Sequence, residues 1–112
     1  MLNRFTRTKL LLGPDAMERL QRASVIVAGL GAVGSYAVEA LSRAGVGALT
    51  LVDFDTVHPS NQNRQLYALE STQGRPKVEV ACERVRDINP ECRVEGRRLF
   101  IDATTAPALV GN

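Results

Sequence analysis

Val25-Ile-Val-Ala-Gly29-Leu-Gly31-Ala-Val-Gly34, with Asp53 standing 19 residues beyond its last glycine, is the stretch on which the fold turns. A continuous β-branched run bounded by glycine suits a strand in the interior of a parallel sheet, here Ala23 to Ala28. Gly29 ends it. From Val33 the apolar residues Val33, Ala37, Ala40, Leu41 and Ala44 fall at helical spacing, and Gly45 stops the helix. A strand, a glycine turn and a helix thus follow in the order of a nucleotide-binding βαβ unit, in which glycines let a phosphate or sugar approach the backbone closely. Ala48 to Val52 reads as the second strand. Asp53 then sits at its carboxyl end, where an acid can accept hydrogen bonds from both ribose hydroxyls. On this unit alone NAD is the ordinary ligand.

Outward from this centre, Gly13-Pro14 opens an N-terminal helix that runs to about Arg22, with Asp15 and Glu18 at the positive end of its dipole. Asp55 to Arg64 is polar and reads as a long loop, closing into a short helix near Gln65 to Leu69. After Pro76 the residues Val78, Ala81, Cys82, Val85 and Ile88 mark one face of a helix that ends at Asn89-Pro90. Arg93 to Ile101 is the third strand, and Ala103 to Asn112 has room to begin another helix. The expected architecture is α/β: the N-terminal βαβαβ half of a Rossmann-like doubly wound parallel sheet (residues 23–112), preceded by a helical arm (residues 1–22). With 112 residues, one half of such a fold is what fits.

Composition narrows the function classes. Hydrophobic residues make up 45% and charged residues 23%, the balance of a chain with a packed core rather than a disordered one. A net charge of +2 is too small to argue for nucleic acid. No apolar run approaches the roughly 20 residues that span a bilayer, and Met1 to Arg7 does not read as a secretory signal, so the cytoplasm is the default expectation. Cys82 and Cys92 show neither CxxC spacing nor a histidine cluster. No metal ligand is assigned in this segment.

Asp53-Phe-Asp55-Thr-Val-His-Pro-Ser60-Asn61-Gln-Asn63-Arg64-Gln65 weakens the dehydrogenase reading, because such an enzyme needs no amide and arginine cluster after its second strand. A triphosphate does. Asn61 and Arg64 are spaced to hold phosphate oxygens from one side of a turn, the guanidinium offering a planar fork. Gly74-Arg-Pro-Lys77 adds an ammonium at a helix start, where the helix dipole acts in the same direction.

Taken together, Arg4-Phe-Thr-Arg7, the glycine turn, Asp53-Phe-Asp55, Ser60-Asn61-Gln-Asn63-Arg64-Gln65 and Gly74-Arg-Pro-Lys77 resemble the superfamily of molybdopterin-synthase, thiamine-biosynthesis and ubiquitin activators. The resemblance covers nearly the whole chain. Within the superfamily, Ile88-Asn-Pro-Glu-Cys-Arg-Val94, the Asn63-Arg64-Gln65 form of the loop and Phe5 are similar to the tRNA threonylcarbamoyladenosine dehydratases. The resemblance implies ATP with Mg2+ as cofactors, and adenylation of a carboxylate: in the dehydratases the threonyl carboxylate of a modified tRNA adenosine, in other branches the C-terminal glycine of a ubiquitin-like sulfur carrier. It implies that Gly29, Gly31, Ala32 and Gly34 form the nucleotide turn, with Ala32 where many relatives carry glycine. Asp53 would hold the ribose, and Asn61, Arg64 and Lys77 the phosphates. Arg7 would reach across a homodimer interface to its partner's ATP. The family's magnesium-binding aspartate falls beyond Asn112, so the segment by itself is expected to lack adenylation activity.

Plainer readings stand beside these. Arg7 is also an ordinary solvated arginine near a terminus, Asp55 is as well suited to capping the following loop as to assisting the ribose or magnesium, and Lys77 without its neighbours is a helix-surface lysine. Cys82 is expected buried and Cys92 accessible but unactivated. His58 is expected to serve a surface role, and Arg84, Arg86, Arg97 and Arg98 to be solvated. Three rival functions remain: a sulfur-carrier adenylyltransferase, an NAD-dependent oxidoreductase, and a non-catalytic segment whose uncovered sheet edge and apolar face drive self-association.

Overall fold

The computed structural model describes residues 4–107. Two short helices, α1 (Thr6–Leu12) and α2 (Pro14–Arg22), precede β1 (Ser24–Ala28), α3 (Ala32–Ala44), β2 (Ala48–Asp53), α4 (Lys77–Ile88) and β3 (Arg93–Arg98). The strands lie in the order β1-β2-β3 and pair in parallel, Ser24 to Ala48 and Ala48 to Arg93 at one end, Ala28 to Val52 and Asp53 to Arg98 at the other. All three therefore end at the same sheet edge. Helices α3 and α4 pack on each other and on one face of the sheet. There Leu49, Leu51, Val38, Val85 and Ala81 are almost wholly shielded from water. Each of the leucine and valine side chains removed from water stabilises the fold by about 1.5–3 kcal/mol before entropy is counted.

Glycines set the close approaches. A Cβ on Gly34 would lie 1.9 Å from the Gly29 carbonyl oxygen, so only glycine lets α3 start so near the end of β1. Gly29 and Gly45 have φ of +92° and +101°, in the left-handed region that side chains disfavour. Gly45 ends α3 in this conformation, and its N–H donates to the Leu41 carbonyl.

Several expectations change. The chain before Pro14 forms a helix of its own, α1, so the arm is two helices joined at Gly13. The buried stripe of α3 is Ser35, Val38 and Ser42 rather than one led by Val33, which is 84% exposed. The serines tolerate burial because each hydroxyl donates to a carbonyl three residues back, Ser35 to Ala32 at 3.2 Å and Ser42 to Glu39 at 3.0 Å. No helix forms over Gln65 to Leu69; 3₁₀ turns at Pro59–Asn61 and Glu70–Thr72 flank that segment instead. Strand β3 stops at Arg98, short of Ile101. The helix expected from Ala103 begins in the described residues: Asp102 opens a turn by accepting from the Thr104 and Thr105 N–H groups, Ala106 and Pro107 are helical, and Ala108 to Asn112 lie outside the described residues.

Candidate functional site

The carboxyl ends of β1 and β2 bring the glycine turn and Asp53 together. Asp53 Oδ2 accepts from the Leu30 N–H at 2.7 Å and Oδ1 from the Asp55 N–H at 2.8 Å. One carboxylate thus fixes both the turn after β1 and the turn after β2. The Gly29 N–H donates to Val52 O at 2.8 Å, tying the same two strand ends. An added Cβ at Gly29 or Gly31 would meet nothing within 4 Å, so open space lies over the turn. Ala32 is the first residue of α3, at the positive end of its dipole.

Beside Asp53 is a cleft of about 290 Å³ whose lining includes Ala28, Gly29, Val52, Phe54, Phe100 and Ile101. The Phe54 and Phe100 rings meet edge to face with centroids 5.0 Å apart. These apolar residues were not singled out from the sequence. Phe54 lies inside the quoted acidic motif and Phe100 follows β3, so the pairing of two strand ends, not any local pattern, brings them together.

Asp55 begins the second part of the site. Its main chain and that of the next two residues run antiparallel to Gly74 to Lys77, with Lys77 N–H donating to Asp55 O (3.0 Å), Val57 N–H to Arg75 O (2.9 Å) and Gly74 N–H to Val57 O (2.9 Å). This strap closes the base of a loop from His58 to Gln73. Lys77, first in α4, is almost wholly buried, and its Nζ lies 3.9 Å from Asp55 Oδ2. Asp55 Oδ1 meets His58 Nε2 at 3.0 Å and accepts from the Thr56 N–H at 2.8 Å. The hydrogen bond from His58, with the Thr56 N–H and the Lys77 charge behind it, holds the Asp55 carboxyl below the usual range. Among the described residues, no three His, Cys, Asp or Glu side chains gather as a metal site.

Within the closed loop, Asn61 is buried, its Oδ1 accepting from the His58 N–H at 2.9 Å. Arg64 is exposed and donates from one terminal nitrogen to Ser60 O (2.9 Å) and Asn63 Oδ1 (3.2 Å). It shares a shallow cleft with Tyr36 of α3, separate from the one beside Asp53. Arg7 stands exposed on α1 and lines neither cleft. The structure thus joins Gly29, Gly31 and Asp53 in one group and Asp55 and Lys77 in a second. Asn61 and Arg64 form a third on the loop, and Arg7 stands apart.

Two further expectations are corrected. Cys92 is buried, because the turn after Ile88 folds back through a bond from the Cys92 N–H to Asn89 O (3.1 Å); burial pushes its thiol up, as it does that of Cys82. Arg84 is no solvated arginine: it grips Glu39 of α3 with two bonds of 2.6 and 3.2 Å.

The geometry is that of a nucleotide fold, and the ThiF family model matches residues 3–112. The chain belongs to the ThiF family. As a ThiF-family chain it is 49% identical over 105 residues to the tRNA threonylcarbamoyladenosine dehydratase of Bacillus subtilis (strain 168), a match over 94% of this chain and 41% of that protein. It is 39% identical over 109 residues to the molybdopterin-synthase adenylyltransferase of Escherichia coli (strain K12), covering 96% of this chain and 44% of the relative. Among solved structures, E. coli tRNA N6-threonylcarbamoyladenosine dehydratase in complex with ATP superimposes with a TM-score of 0.94 at 44% identity, over 96% of this chain and 44% of that one. E. coli MccB with ATP superimposes with a TM-score of 0.88 at 28% identity, over 98% and 35%. The Rossmann-like α/β class is thereby shown for this N-terminal segment. The chain spans less than half the length of each of these relatives.

Proposed function

We propose that this chain is the nucleotide-binding front part of an ATP-dependent enzyme that adenylates a carboxylate, and that its substrate is threonylcarbamoyl-modified adenosine in tRNA. The observation that carries the reading is the buried Lys77 ammonium at the start of α4, paired with Asp55 two residues after Asp53 and strapped to the base of the loop bearing Arg64, in a chain whose glycine turn has open space above it. A dinucleotide dehydrogenase has no use for these cations; a triphosphate does. The threonylcarbamoyladenosine choice is supported by the 49% identity to a dehydratase, against 44% to a molybdopterin-synthase adenylyltransferase and 42% to a sulfur carrier protein adenylyltransferase.

The chain's residues fit ATP. Gly29 and Gly31 leave room for the sugar and phosphates, Asp53 faces the ribose, and the Phe54–Phe100 cleft offers apolar walls for the base. Arg64 and Lys77 neutralise phosphate charge, with the Asn61 amide beside them. The substrate carboxylate oxygen forms a bond to the α-phosphorus while the bond to the β-phosphate bridging oxygen breaks, and pyrophosphate carries that electron pair away. Charge on the departing oxygens is what Lys77 and Arg64 stabilise, so they contribute more than any general base in this segment. Mg2+ would accompany the phosphates and supply further neutralisation. Residues 1–22 serve as an arm whose Arg7 completes the site of a second copy in a homodimer, and residues 23–112 form the first half of the ATP domain. No described helix is long and apolar enough to cross a membrane, which accords with a cytoplasmic enzyme acting on tRNA.

The test is ligand choice in the full-length protein. ATP is expected to bind and NADH not to, and Lys77→Ala to weaken ATP about tenfold to a hundredfold. Binding of NADH in place of ATP would overturn the reading. A sulfur-carrier protein remains the alternative substrate, supported by the 42% identity to the sulfur carrier protein adenylyltransferase of Thermus thermophilus.

A further inference from the structure

The loop from His58 to Gln73 carries Asn61 and Arg64 and is closed at its base by the strap between Asp55 to Val57 and Gly74 to Lys77. A loop of this length held at its ends alone swings about them, and an arginine on it would have no fixed position over the glycine turn. Tyr67 and Ala68 seat the loop in the core, with Leu66 packed against it, and Tyr67 adds a hydrogen bond to α3. Tyr67, at the far side of the loop, is 2% exposed, and its ring enters the core between the loop and α3. Its hydroxyl donates to Ser35 O at 3.2 Å, a carbonyl in the first turn of α3, next to Gly34. On the loop side, the Tyr67 carbonyl accepts from Thr72 Oγ1 at 2.6 Å, and Thr72 Oγ1 in turn accepts from the Leu69 N–H at 2.9 Å. The Tyr67 backbone is thereby braced against the loop's own closing turn.

We infer that Tyr67 is a positioning residue for nucleotide: through its hydroxyl it pins the loop that bears Arg64 to the first turn of α3, and so sets the distance between the guanidinium and the glycine turn. Tyr36 of α3 and Arg64 of the loop line one shallow cleft, as a loop docked across the start of that helix requires. Among the described residues the Arg64 guanidinium bonds only loop atoms, Ser60 O and Asn63 Oδ1, so whatever fixes the loop fixes Arg64. The phenol is held neutral, since burial, with the nearby Glu39 charge, raises its pKa beyond the working range. A neutral hydroxyl in an apolar setting with one acceptor is a directional latch rather than an acid or base.

This inference rests on the ATP reading, and a double-mutant cycle separates the two. ATP affinity and KM against kcat for pyrophosphate release are measured in the full-length protein for wild type, Tyr67→Phe, Arg64→Ala and the double variant. Tyr67→Phe keeps the ring and its packing. It is expected to raise the KM for ATP about threefold to tenfold in the wild-type background and less than about twofold when Arg64 is already absent, with the melting temperature changed little. Val85→Ala, a core change on α4 that removes no hydrogen bond of the loop, lowers the melting temperature further but leaves the KM for ATP in place. An equal effect of Tyr67→Phe in both backgrounds, or a KM that follows stability across all variants, overturns the positioning role while the ATP site stands. If Arg64→Ala leaves ATP affinity unchanged, the ATP-site reading fails and this inference falls with it.

Discussion

Gly31 and Gly34 sit three residues apart in one turn yet do different work. At Gly34 a methyl group would overlap the Gly29 carbonyl, so Gly34→Ala must push α3 off β1 and is expected to destabilise the fold by about 2–4 kcal/mol in urea unfolding. At Gly31 the same methyl meets open space, so Gly31→Ala is expected to leave stability within about 1 kcal/mol while weakening ATP, whose phosphates would need that space. Equal losses of stability would show that neither glycine is reserved for ligand. The pattern of glycines and the acid after β2 was legible in the sequence, because spacing along a chain fixes what a tight turn brings together. Phe54 and Phe100 were not legible as a pair, since nothing local links residues that meet only when β2 and β3 align. Nor was the burial of Cys92, decided by a turn that folds back on Asn89.

Between elements, the Glu39–Arg84 pair joins α3, which opens at the glycine turn, to α4, which begins with Lys77. Arg43 adds a third bond, to Glu39 Oε2 at 2.7 Å. The Arg84 hydrogen bond, with Arg43 behind it, holds the Glu39 carboxyl below its ordinary range despite partial burial. A lowered folded pKa means the unfolded chain binds a proton more readily, so the stabilisation is complete above the ordinary glutamate value of about 4.3 and is lost as pH falls through the lowered one. Glu39→Gln is therefore expected to flatten the acid limb of the stability curve, and Arg84→Ala to cost about 1–3 kcal/mol at neutral pH, read by urea unfolding against pH. An acid limb unchanged by Glu39→Gln would contradict the assignment. Gly13-Pro14 marked α2 and helix periodicity found α3 and α4, but it included the exposed Val33 and Ala40 in the α3 stripe and left out Ser35 and Ser42, because a buried serine that bonds its own helix backbone looks polar in sequence and behaves as a small core residue. The segment from Gln65 to Leu69 forms no helix because Tyr67 is claimed by the core and by Thr72, contacts that no local pattern announces.

At the scale of the whole molecule, apolar surface stands uncovered. Leu10 and Leu11 of α1 are 83% and 85% exposed, and the face of β1 away from α3 shows Ser24, Ile26 and Ala28 to solvent. The 112-residue chain on its own is expected to show a mass that rises with concentration, and to release no pyrophosphate, since it spans less than half of its relatives' length. Leu10→Glu together with Leu11→Glu is expected to return the mass to that of one chain; no change would place the contact on the sheet instead. Carboxylate adenylation on tRNA is read out as pyrophosphate release from ATP by the full-length protein. The assay is run with threonylcarbamoyl-modified tRNA, and separately with a ubiquitin-like sulfur carrier, for wild type and Arg64→Ala. Release that depends on the tRNA and drops about tenfold or more in the variant is the predicted result. Release only with the carrier protein, or with neither, would contradict it.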